Sequence, residues 1–157
     1  MKASTISTLR KELISLPPGD VIAVCMRLAK FKKENKELLS YLLFDSNNEA
    51  EYIVSIKQEI DLQFAEINKD HLYFAKKSIR KIVKNTNKYI KYSNVKQTEV
   101  ELIIYFCLKL KKSGIHYKSS TSLNTLYANQ VRKAKLAIAT LHEDLQFDYL
   151  EELNTLV

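Results

Sequence analysis

The sequence predicts an all-α protein. Apolar residues recur at three- and four-residue intervals through most of the chain. Only 2 Gly and 2 Pro occur in 157 residues, too few for the tight turns of an all-β domain. No run of alternating, turn-bounded β-branched residues marks a strand. With 46% hydrophobic and 27% charged residues, the chain has the composition of a globular protein, and its length fits one domain spanning residues 1–157.

About eight helices are expected. The first, near residues 4–15, places Ile6, Leu9, Leu13 and Leu16 on one face. Pro17-Pro18-Gly19 stops it, because neither proline donates a helical hydrogen bond. Asp20 is the expected cap of a second helix carrying Val21, Val24, Cys25, Leu28 and Phe31. A third, near 35–44, carries Leu38, Leu39, Leu42 and Leu43. Ser46 followed by Glu49 fits a capping box, and the helix after it has the stripe Ile53, Ile56, Ile60, Phe64 and Ile67.

The fifth helix, about 69–92, buries Leu72, Ala75, Ile79, Ile82, Val83, Thr86 and Ile90. Ser93-Asn94-Val95 breaks the pattern, and Asn94–Gln97 and Thr98–Glu101 both have capping-box spacing. The sixth helix, near 95–112, is apolar on nearly all sides, from Val100 to Leu110, and a helix of that kind belongs at the centre. Lys109, Lys111 and Lys112 complement its C-terminal dipole, and Gly114 suits the turn that follows. Leu123, Leu126, Val131, Ala134, Ile138 and Leu141 define a seventh helix near 121–141; Leu145, Tyr149, Leu150, Leu153 and Leu156 define an eighth near 144–156.

Short connections set successive helices antiparallel. Eight helices then form hairpins packed either as a short α-α superhelix of the helical-repeat kind or as an irregular bundle. Hairpins starting near residues 4, 35, 69 and 118 are unevenly spaced, and no repeat consensus recurs.

The longest strongly apolar stretches, 38–44 and 102–108, have seven residues each, against the ~20 of a membrane span. The first residues hold no apolar run suited to a secretion signal. A cytoplasmic location is therefore the expectation, with Cys25 and Cys107 as reduced core residues.

No cofactor is expected. Phosphate and dinucleotide loops need clustered glycines, and only Gly19 and Gly114 exist. His71, His116 and His142 lack ligand spacing with each other or with cysteine, so no metal site is expected either. Glu99 and Glu101 stand two apart and take different helix faces; Glu101 is read as a capping partner. No residue is assigned a catalytic role.

The charge is the most informative feature. The chain carries +7 overall, but residues 69–118 hold 13 basic and 3 acidic side chains, while 46–68 hold 1 and 5. On the fifth helix Lys77, Lys81, Lys84, Lys88 and Lys91 are spaced 4, 3, 4 and 3, an arc of about 80° opposite the apolar stripe. Tyr73 and Arg80 flank this face, and Tyr92 lies at its far edge. These eight residues form the candidate partner-binding surface. The first functional reading is a non-enzymatic binding or adaptor module presenting this surface to a protein or another polyanion. The second is a nucleic-acid-binding domain whose lysines meet phosphates and whose tyrosines stack on bases. The third is an enzyme with a site assembled from distant residues. Against all three stands a lysine-rich face that is simply solvated.

Overall fold

The computed structural model describes residues 2–156. The chain is 81% helical, and no strand occurs among the described residues. Eight α-helices follow in order: α1 Ile6–Ser15, α2 Pro18–Phe31, α3 Lys33–Ser40, α4 Glu49–Ala65, α5 Leu72–Ser93, α6 Lys96–Lys112, α7 Thr121–Ile138 and α8 Glu143–Asn154. A π turn, Tyr41–Asp45, prolongs α3, and a 3-10 turn, Tyr117–Ser119, precedes α7. The contacts group these elements into two compact units, 1–44 and 45–157.

In the first unit, the Thr5 side chain caps α1 by accepting from the Thr8 amide at 3.2 Å. Leu16 and Pro17 are both extended, with ψ of 146° and 148°, as expected for residues that precede a proline. Pro18 then starts α2, because its fixed φ suits the first helical position. The expected cap Asp20 consequently lies inside the first turn. Helices α2 and α3 pack on each other, and the Asn35 amide fixes their joint by donating to the Leu28 carbonyl at 2.8 Å.

The second unit is a helical bundle with α6 at its centre, in contact with α4, α5, α7 and α8. Val100, Leu102, Ile103, Ile104, Phe106, Cys107 and Leu110 of α6 are all buried, as its all-round apolar sequence requires. The Phe64 ring of α4 meets Phe106 at 5.7 Å between centroids. Burial pushes the Cys107 thiol up to about 12, so it behaves as a small hydrophobe.

Four polar residues of α6 share one seam. Thr98, Glu101, Tyr105 and Lys109 are spaced 3, 4 and 4 and fall within an arc of about 80°. All four bond to α4: Thr98 donates to Glu49 at 2.6 Å, Glu101 pairs with Lys57 at 3.0 Å, and Tyr105 and Lys109 both reach Asp61 at 2.8 Å. Partner numbers rise together along both helices, so α4 and α6 run parallel, with α5 returning between them. The seam corrects three cap assignments. Asn48, not Ser46, caps α4. Glu49 is freed to accept from the hydroxyls of Thr98 and Ser93. Asn94 closes α5 in the left-handed conformation (φ 56°), Val95 precedes α6 without a side-chain cap, and Glu101 is an ion-pair and Tyr149 partner. Gly114 turns the chain after α6 at φ 76°.

Phe106→Ala is expected to lower unfolding stability by about 3–5 kcal/mol through cavity formation, read as a shifted denaturant midpoint at constant slope. A loss below about 1 kcal/mol would remove Phe106 from the centre of the core.

Candidate macromolecule-binding face

Helix α5 lies against α4 and α6 through Ala75, Ile79, Ile82, Thr86 and Ile90, all buried. This anchors one side of the helix and fixes what the other presents. Lys77, Arg80, Lys81, Lys84 and Lys91 are exposed, and among the described residues none of them has an acidic partner at salt-bridge distance. Two acidic residues of neighbouring α4 are engaged elsewhere: Asp61 holds Lys109 and Tyr105, and Glu59 accepts from Gln63. Polar contacts between α4 and α5 include Asn85 donating to Gln63 at 3.1 Å, the Tyr52 hydroxyl to the Tyr89 carbonyl at 3.0 Å, and the Ser93 hydroxyl to the Glu49 carboxylate. From Lys77 to Lys91 the row is about 21 Å long.

Two of the eight candidate residues depart from a fully exposed strip. Lys88 is half-buried, its ammonium 4.9 Å from the centre of the Tyr89 ring and 5.9 Å from that of Tyr92. Tyr92 is half-buried too and meets Tyr89 edge-on. This cation–π cluster stiffens the C-terminal part of the row. At the other end Tyr73 is 74% exposed and stands edge-on to the exposed Phe74, 5.4 Å between centroids.

The row runs into a cleft of about 560 Å³ at the α5–α6 joint. Lys91 borders it from α5, Lys96 and Glu99 from α6, and Lys133 from α7. Glu99 holds the cleft together, accepting from Lys96 at 2.9 Å and from Lys133 at 3.3 Å, while Lys133 also donates to Asn87 at 2.7 Å. Burial raises the pKa of Glu99, but the two lysines outweigh it and hold the carboxyl below its ordinary 4.5. Lys96 and Lys133 were outside the expected site. Their only local signal is the three-residue spacing of Lys96 and Glu99; Lys133 arrives through the fold.

Several other polar groups are engaged within the fold. The Tyr105 phenol is pushed up by burial and by Asp61, and that of Tyr149 to about 12, chiefly by burial, so neither is poised for proton transfer near neutral pH. His142 accepts from the Asp144 amide as the cap of α8. Among the described residues no cluster of His, Cys, Asp or Glu is arranged to hold a metal ion, and no helix is long and apolar enough to cross a membrane. Cys25, expected in the core, is half-exposed. No known protein family, curated protein or solved structure matches the chain.

The depressed pKa of Glu99 fixes a sign. Its contribution to stability is complete above pH 4.5 and is lost as pH falls through its lower folded value. Glu99→Gln is expected to be less stable than wild type at neutral pH and to show a shallower loss on acidification below pH 4.5, measured by denaturant unfolding across pH. Parallel acid limbs for the two proteins would show that the carboxylate contributes nothing.

Proposed function

We propose that this chain is a non-enzymatic binding module that presents the lysine face of α5 to an acidic protein partner. The carrying observation is a row of cations on a helix anchored on its opposite side, in which, among the described residues, Lys77, Arg80, Lys81, Lys84 and Lys91 have no acidic partner at salt-bridge distance. An acidic surface laid along the row supplies the missing counter-charge, and a field of one sign speeds encounter with it. The Tyr92 edge and the Lys88 cluster add rigid, amphipathic contact area. Nucleic acid is the second reading, favoured by one feature: the exposed Tyr73–Phe74 pair at the N-terminal end of the row is placed to stack on unpaired bases while the lysines follow the phosphates.

Lys77, Lys81 and Lys84 are exposed, so their joint replacement by Gln leaves the fold intact and removes like-charge repulsion. The variant is expected to lose binding to an acidic polyglutamate probe and to partners captured from nuclease-treated lysate. If single-stranded DNA or RNA binds wild type instead, each lost lysine should flatten the slope of log affinity against log salt by about 1, and Tyr73→Ala should weaken binding further. Equal binding of all probes by wild type and triple variant would remove α5 from the interface.

A further inference from the structure

The first unit lacks a core of its own. Of residues 2–44 only Ala29 and Tyr41 are buried. The same stretch carries 13 of the 21 exposed large hydrophobic side chains among the described residues. Helix α1 buries nothing: its stripe Ile6, Leu9 and Leu13 is 81%, 47% and 41% exposed, and neither α2 nor α3 packs closely on it. Extended Leu16 and Pro17 separate it from α2. Helices α2 and α3 meanwhile enclose an apolar groove of about 300 Å³, lined by Cys25, Leu28, Ala29, Leu38, Leu39 and Leu42. The unit thus holds an amphipathic helix without a groove and a groove without a helix.

We propose that residues 1–44 form a homodimerisation module in which α1 of each copy lies in the α2–α3 groove of the other. Two parts on one chain that fit each other but do not fill each other close naturally about a two-fold axis, and exchange of a terminal element is a low-cost route to such a dimer. A helix seated by residues spaced i, i+3 and i+7 is a common way of filling an apolar groove. Size points the same way, since helical units of about 40 residues generally need association to be stable. Ile6, Leu9 and Leu13 of the stripe and Leu28 and Leu42 of the groove are among the exposed side chains that this contact would cover. The charges of the unit are of both signs, 8 basic and 4 acidic side chains over residues 2–44, with Glu12 on α1 and Glu34 and Glu37 on α3 among the acids. That mixture suits a self-complementary contact, whereas an anionic bilayer selects a uniformly basic rim.

The full chain is expected to sediment at twice its 18.2 kDa mass, and Leu28→Glu should reduce it to a monomer of unchanged helical circular dichroism. Cys25 supplies a reporter, because it lines the groove while Cys107 is buried. Ile6→Cys, Leu9→Cys and Leu13→Cys sample successive positions along the stripe. On mild oxidation at least one should give a disulfide-linked dimer, lost when Cys25→Ser is added, with the cross-link mapped to α1 of one chain and Cys25 of its partner. A wild-type chain that stays monomeric at tens of micromolar overturns the proposal. So does an internal disulfide in a monomer-sized product, which puts α1 in its own groove, and so does a monomer that instead co-floats with phosphatidylserine vesicles.

Discussion

The second unit depends on the enclosure of one helix. Apolar residues cover almost the whole circumference of α6, so no single neighbour can keep it from water, and α4, α5, α7 and α8 must all contribute a face. That requirement settles what each of the four presents outward. For α5, giving its aliphatic stripe to the interior leaves lysine on the opposite side, and the basic face is in this sense the reverse of the core.

The polar seam of α6 determines how far that face is neutralised. A carboxylate has limited reach, and the α4 acids at positions 49 and 61 are committed to hydroxyl or ammonium groups of α6. Buried hydroxyls such as that of Thr98 have a high cost when left without an acceptor, and Glu49 supplies that acceptor. The seam also sets register: hydrophobic contacts alone tolerate sliding of one helix along another, whereas four directional bonds in ascending order permit one alignment.

Features with local causes were legible in the sequence. Helix periodicity, the central place of α6, the Ser93–Val95 break and the angular spread of the lysines follow from spacing within one helix. Capping assignments failed because a Ser/Thr–Glu pair three apart looks the same whether its acid turns back to its own amides or outward to another helix. Glu49 and Glu101 both turn outward, to partners more than 40 residues away. The apolar stripe of α1 was equally legible, but periodicity reports that a face is apolar and not whether anything covers it; Cys25 was misjudged for the same reason. The grouping of 1–44 apart from 45–157 leaves no compositional trace, as no Gly or Pro lies between Gly19 and Gly114.

Both ends of α6 are reached through a left-handed residue, Asn94 before it and Gly114 after it. The two positions differ in what a chemist can do with them. At Gly114 a Cβ would meet nothing within 4 Å, so the only obstacle to a side chain is the handedness of the backbone. A mirror-image amino acid has the opposite preference. D-alanine introduced there by peptide ligation would accept the positive φ without that strain and narrow the unfolded ensemble, an effect of about 0.4–1 kcal/mol that none of the chiral residues the ribosome incorporates can supply as readily.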